Sequence, residues 1–538
     1  MKVNLFRIDT EERDSTIEIL ISELELSGYN NISNLKYEGI EYSLYIEQKA
    51  RKSIPWIEEL NNVFKFGSIS KNLGEINNGI LILRAPSKNI YAITFGHSYH
   101  FIHEYCDRNF ALDFAESEIK SADVDTKSSD FIHGIKIKEL VNLKDNSTPT
   151  SEGGESFKFV GGIPNTPIFG KRVDCGYSIH FGRNFNLEKP EDLKEINKLI
   201  VETERTINKE EKLYKFPRIT YLPKSNAIIS KLNSLVKDEL ICNSENVEVY
   251  TSSFSVLGST VLMNSNNYCY SIYIKGQIKN TTEKYDIISK ECIVNYFIKY
   301  KSEIDNIDSV QIIVEKTEDN IVLKPQSIKR YLFASIELNG TEYLLSDNRW
   351  GYVNNTFYET LEKSLNIISE TCIEYGMGEL AVNYDDEDDY INKVVSSAKY
   401  QKLHKLFIYL NGVPFEIADL LEKENNNLIT VKLGSKNQEF IYSFDQAISS
   451  ATFLTHQKDY QLYQKLVKAK FDEEVINLIF SSKGYFVLLG FEQKSYHELV
   501  IKKQFNLNDL SSFLLKLKIV SWVSLMKNTD MNYKIILI

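Results

Sequence analysis

The chain has 538 residues, of which 43% are apolar, 25% charged and 12% aromatic, an ordinary globular balance that excludes disordered, collagen-like and mucin-like classes. At about 100–200 residues per domain, that length accommodates several domains with sizeable cores. Its 63 basic and 74 acidic residues leave a net charge of −11, so there is no chain-wide footprint for a polyanion, and any such site must be local.

The start, MKVNLFRIDTEERD, has neither the charge pattern nor the apolar run of a signal peptide. No stretch approaches the roughly eighteen apolar residues of a membrane span. The expectation is a cytoplasmic protein with no membrane partner. The cysteines, Cys106, Cys175, Cys242, Cys269, Cys292 and Cys372, lie tens of residues apart without a CxxC pair, which predicts reduced core thiols rather than disulfides or a zinc knuckle.

Pattern changes divide the chain into an N-terminal α+β domain over 1–185, a sheet-rich α+β domain over 186–374 and a C-terminal domain over 375–538. In the first, a helix is predicted over 14–26 and a strand pair over 79–96. A long irregular stretch then passes through NSTPTSEGG and GGIPNTPIFGK, where glycine and proline punctuate the chain. His97, His100 and His103 recur every third residue, a spacing that drifts around a helix and aligns three ligands poorly, so structural roles are expected. In the second, a polar helix near 191–212 precedes alternating strands over 247–258 and 268–276.

The third is the most informative. Ile391, Val394, Val395 and Ala398 recur at helical spacing within 385–400. Strands are predicted over 404–410 and 413–421, joined by the hairpin signal Asn411-Gly412, and a third over 428–434. Ser443 and Gln446 read as a capping box for a helix with Phe444, Ala447, Ile448 and Ala451 on one face. Further strands are predicted over 475–481 and 485–491, and a helix over 508–517.

The order helix, three strands, helix, strand resembles the αβββαβ core of restriction-endonuclease-like nucleases. That resemblance implies a carboxylate late in the second strand, a lysine in the third and another carboxylate from the leading helix. Carboxylates suit Mg²⁺, which neutralises phosphate charge and lowers the pKa of the attacking water, and lysine supplies a point charge. Strand alternation puts Asp419 at the end of the row Val413, Phe415, Ile417, with Glu416 facing the other way unless a bulge turns it inward. Lys432 ends the neighbouring strand, and Glu387 lies on the core-facing stripe of the helix. The carboxylate usual two residues before the lysine is replaced by Thr430. Catalytic roles are thus expected for Asp419, Lys432 and Glu416, and metal ligation for Asp419, Glu387 and Glu416. An ordinary ion pair between Asp419 and Lys432, and a solvated acidic helix start at DDEDD, are the plainer alternatives.

Farther on, Lys465, Lys468 and Lys470 interleave with Tyr460 and Tyr463 on a predicted helix, a local surface suited to a phosphate backbone or to solvent alone. No arginine follows Arg349, so contact there would be mainly with backbone phosphates. Residues 376–538 hold 19 Lys against 20 Asp plus Glu, so nearly all the net negative charge lies upstream.

AITFGHSYHFI, RNFALDF, ADVDTKSSDF, FEIADLL, ITVKLG and the following FDQA together resemble an uncharacterised, sporadically distributed bacterial family over nearly the whole chain. The family pattern has a Glu three residues before an Asp, matched by Glu416 and Asp419, and a lysine after a valine, matched by Val431 and Lys432. It usually has His where Thr430 stands and Asp where Asn411 stands. The resemblance implies an association with mobile and antiphage-defence genes. The function expected is a Mg²⁺-dependent nuclease triggered by a phage or host protein. The alternatives are a non-catalytic module that binds nucleic acid or senses a phage protein, and a toxin with another target.

Overall fold

A computed structural model describes residues 2–9, 13–47, 78–132, 139–142, 151–185, 190–223, 226–249, 253–256, 259–262, 268–286, 288–316, 321–322, 324–346, 348–410, 413–456, 460–469 and 471–538. The chain is mixed α+β and forms two compact units. One comprises residues 1–129, 138–150 and 157–216; the other comprises residues 130–137, 151–156 and 217–538.

The first unit is built on a ten-stranded sheet. Its order is Tyr29–Tyr37, Ile40–Glu47, Gly79–Arg84, Ile90–Phe95, Lys2–Arg7, Ile179–Asn184, Val173–Cys175, Glu155–Gly162, Val124–Phe131 and Glu139–Asn142. The predicted pair at 79–96 is an antiparallel hairpin running from Arg84↔Ile90 to Gly79↔Phe95. Alternation divides its side chains between two cores. Ile80, Ile82 and Ala92 meet Ile17, Leu20 and Leu24 of helix Arg13–Leu26. Leu83, Tyr91 and Ile93 meet Phe110 and Phe114 of helix Phe110–Glu118, and Ile196, Leu199 and Ile200 of helix Leu193–Ile207. Much of the stretch expected to be irregular is therefore sheet. Gly161 and Gly162 end strand Glu155–Gly162 rather than opening a loop, and at Gly162 an added Cβ would come within 2.5 Å of the Asp123 carbonyl oxygen, so that position has no room for a side chain. The turn after them keeps its prolines, with a short 3₁₀ turn at Pro167–Phe169.

In the second unit, residues 373–537 carry a six-stranded sheet in the order Ile373–Tyr375, Asn532–Leu537, Gly484–Phe491, Asn427–Gly434, Leu420–Glu422, Tyr400–Lys402. The first four strands are parallel, and the last three form an antiparallel meander. Strands buried on both faces read as continuous apolar runs, which is why YFVLLGF and LITVKLG stood out. Ile429, Val431 and Leu433 face Tyr390, Ile391 and Val394 of helix Glu387–Val395. The other face packs on helices Asn355–Cys372, Asn437–His456 and Phe513–Lys527, where Phe444, Ala447, Ile448 and Ala451 are buried together as their spacing predicts.

Four elements depart from expectation. The run 413–421 is not one strand: Val413–Glu416 pairs with Phe407–Leu410 in a separate two-stranded ribbon, and Leu420–Glu422 joins the main sheet. The hairpin residues Asn411 and Gly412 lie outside the described residues. The run 475–481 is helix Glu473–Phe480, with Val475, Ile476 and Ile479 buried; a short apolar run is ambiguous by period, and Asp472, Glu473 and Glu474 suit a helix N-terminus. The helix expected over 508–517 begins at Phe513, where Ser512 Oγ accepts the Leu515 N–H. Ser443 and Gln446 are not a capping box, since the helix starts at Asn437; Glu439 accepts the Lys436 N–H there, and Ser443 Oγ instead donates to the Phe440 carbonyl.

All six cysteines are free thiols. Among the described residues no helix is long and apolar enough to cross a membrane.

Candidate functional site

The site lies where helix Glu387–Val395, the turn after strand Tyr400–Lys402 and the break at Ile417–Asp419 meet the end of strand Asn427–Gly434. Asp386 caps the helix by accepting the Asp389 N–H at 2.8 Å, and Asp389 in turn accepts the Asp385 N–H at 3.0 Å. These two acids belong to the cap. Glu387 instead accepts the Leu433 N–H at 3.3 Å and lies 3.0 Å from Lys432 Nζ.

The break after Glu416 is held by backbone bonds. Asp419 N–H donates to the Ile429 carbonyl at 3.0 Å, and the Asp419 carbonyl accepts Leu403 N–H at 2.8 Å and His404 N–H at 2.9 Å. Gln446 Nε2 and Ser450 Oγ each donate to the Glu416 carbonyl at 3.4 Å. With the strand interrupted, alternation no longer separates Glu416 from Asp419, and both carboxylates turn toward His404. Its Nδ1 lies 2.6 Å from Asp419 Oδ1 and 3.5 Å from Glu416 Oε1. The second Asp419 oxygen accepts the Val431 N–H at 2.8 Å, which fixes the carboxylate against the central strand.

Glu387, His404 and Asp419 each place one ligand-type atom within 4.8 Å of the others, the one group of three such residues among those described. Asp419 is only 3% exposed. Burial, followed by the charge of Asp419, pushes the Glu416 carboxyl up to about 7. The bond with Asp419 raises His404 against the opposing effect of burial. Tyr442, on the adjoining helix, has its phenol raised by desolvation and then by the charges of Glu416, Asp419, Asp445 and Glu387. Negative charge is thus concentrated here, and two carboxylates with an imidazole are a donor set that fits a divalent cation.

Of the residues singled out from sequence, Asp419, Glu416, Glu387 and Lys432 come together. Thr430 points away and is buried, sharing a 2.6 Å hydrogen bond with the hydroxyl of Tyr485, which donates to the Ile417 carbonyl at 2.8 Å. The lysine helix runs Tyr460–Lys468; Lys468 is exposed, while Lys470 lies outside the described residues. His404 and Tyr442 were not singled out. The available signal for His404 was a histidine-lysine pair just before an apolar run, and the spacing of strand residues does not reveal that a turn folds it back. His97, His100 and His103 do not converge on a ligand: His103 stacks on Tyr177 at 4.6 Å, and His100 and His103 meet edge to face at 6.3 Å.

No curated protein and no solved structure matches the chain. The sequence model of DUF6119, a family of unknown function, matches residues 3–517 and so spans both units; in keeping with the expected uncharacterised family, the chain belongs to DUF6119.

Proposed function

We propose that the C-terminal part of the chain is a restriction-endonuclease-like domain and that the protein is a metal-dependent nuclease hydrolysing phosphodiester bonds in antiphage defence. The observation that carries this reading is the convergence of Glu387, His404 and Asp419 within 4.8 Å, with Lys432 bonded to Glu387 at 3.0 Å. The order of elements supports it: helix, meander of three strands, helix Asn437–His456 followed by two shorter helices, and a strand parallel to the third, with the ribbon 407–416 inserted between the first two strands.

Asp419, Glu387 and His404 would hold the cation, for which the restriction-endonuclease resemblance implies Mg²⁺, with Glu416 a further oxygen donor beside Asp419. When bound, such a cation neutralises phosphate charge and makes its water a better nucleophile. Lys432 places a positive charge where negative charge develops on the phosphoryl oxygens. Lys465, Lys468 and Lys470 are proposed to contact the nucleic-acid backbone.

The test is cleavage of single- and double-stranded DNA and RNA by the full-length protein with Mg²⁺ or Mn²⁺. Metal-dependent cleavage lost in Asp419→Ala and Lys432→Ala is the expected result. Cleavage that survives both substitutions sinks the assignment. One observation favours a second reading: Thr430 occupies the place of a usual carboxylate and is turned into the core. A non-catalytic module that binds nucleic acid or senses a phage protein predicts salt-sensitive binding, or capture of the phage protein, with no cleavage under any divalent cation.

A further inference from the structure

We propose that the Glu387, His404 and Asp419 cluster selects a divalent cation of the transition series, with Mn²⁺ as its probe, over Mg²⁺. The inference rests on the metal-centre reading above and concerns which cation that centre takes.

The donor chemistry carries it. Mg²⁺ favours oxygen ligands in near-ideal octahedral geometry and keeps several waters, whereas imidazole nitrogen suits transition-series ions. The central strand contributes no oxygen donor at the expected place, because Thr430 is bonded to Tyr485 inside the core. The third donor is instead His404, delivered by the turn after strand Tyr400–Lys402.

The imidazole is also held as a ligand would be. Its Nε2 lies 3.1 Å from Asp388 Oδ1, and Lys405 Nζ grips that carboxylate at 2.6 and 2.8 Å. The ring is hydrogen-bonded through Nδ1, which lies 2.6 Å from Asp419 Oδ1, so a cation held there would take the place of the proton that this bond carries. A carboxylate behind the far nitrogen is the arrangement that fixes ring orientation and raises basicity in histidine metal centres. The backbone is equally constrained. Leu403 and His404 both donate to the Asp419 carbonyl, Lys405 adopts a left-handed conformation at φ 63°, and its N–H donates to the Glu416 carboxylate. These contacts place a nitrogen donor, rather than a mobile surface histidine, beside two carboxylates.

The experiment titrates the full-length, metal-stripped protein separately with Mn²⁺ and Mg²⁺, following heat by calorimetry and free Mn²⁺ by electron paramagnetic resonance. The expected result is Mn²⁺ binding tighter than Mg²⁺ by at least about tenfold, the lower end of what one supporting group contributes at a metal centre. His404→Asp, which replaces nitrogen by oxygen, should erase most of that ratio. Should His404→Asp fail to fold, Asp388→Asn on the exposed side should weaken Mn²⁺ by roughly tenfold while Mg²⁺ changes less. Equal affinities in the wild type, a ratio unchanged in both variants, or binding of neither ion overturns the proposal. Mn²⁺ preference without cleavage of any nucleic acid supports the cation choice and removes the nuclease. Cleavage with equal affinities does the reverse.

Discussion

Two acid–base groupings in the second unit handle buried charge in opposite ways. Asp445 of helix Asn437–His456 pairs with Lys518 of helix Phe513–Lys527, one carboxylate against one ammonium, with both residues at most 3% exposed. The site around His404 gathers Glu387, Asp388, Glu416 and Asp419 against Lys432, Lys405 and one imidazole. The first grouping is balanced internally. The second crowds four carboxylates around one imidazole, and the Glu416 carboxyl is pushed up to about 7 by burial first and by the charge of Asp419 second. Burial of charge alone therefore does not distinguish the two; the convergence of metal-type donors does.

The largest effect should come from unbalancing the balanced pair. Lys518→Met leaves Asp445 buried without its ammonium and should cost about 3–5 kcal/mol of stability, measured by urea unfolding. Replacing both residues, Lys518→Met with Asp445→Leu, should recover most of that loss, because apolar replacements avoid the desolvation penalty. A double variant as unstable as the single one would show that Asp445 does more than balance Lys518.

Removing charge from the site should have the opposite signature. Lys432→Ala is expected to lower cleavage by about 10²–10³-fold, as when one preorganised electrostatic group is removed. Its unfolding midpoint should fall far less than that of Lys518→Met, because Lys432 keeps 25% of its side chain exposed where Lys518 keeps 2%. Large destabilisation with unchanged cleavage per folded molecule would invert the contrast between the two groupings.

Glu248 offers a third arrangement, a buried carboxylate with little charge to answer it. It sits in strand Val247–Val249 and accepts the hydroxyl of Ser512, and burial pushes it up to about 7 despite that bond and the charge of Lys290. Its folded pKa is raised above the unfolded one. Its contribution to stability is therefore fully present below the unfolded value near 4.5 and is lost as pH rises through about 7. Glu248→Gln should flatten that slope, gaining roughly 2–3 kcal/mol at pH 8 and nothing near pH 4.5, by urea unfolding at the two pH values. An equal effect at both pH values would mean that packing, not ionisation, governs the site.

The contrast between these groupings was only partly legible in sequence. The strand carrying Lys432 could be read as a continuous apolar run, and the helix carrying Glu387 from its helical period, as could the apolar stripe of Phe444, Ala447, Ile448 and Ala451. The break at 417–419 was not, because it is imposed by partners distant in sequence, the Ile429 carbonyl and the Leu403 and His404 amides. Strand alternation therefore separated Glu416 from Asp419, although tertiary hydrogen bonding brings them to one imidazole. His404 was hidden for a related reason: its direction depends on a single left-handed residue, Lys405, whose type does not announce that conformation. The pair Asp445–Lys518 was equally unreadable, since 73 residues separate its members.

The smallest predicted effect concerns the neutral charge balance of the C-terminal segment. Lys468 is exposed at the end of helix Tyr460–Lys468, where a phosphate contact would release condensed counterions. Lys468→Ala should weaken nucleic-acid binding only modestly but should reduce the slope of log affinity against log salt by about one. Fluorescence anisotropy with a labelled oligonucleotide between low and moderate salt measures both quantities. A slope unchanged from wild type would make Lys468 part of a solvated helical face.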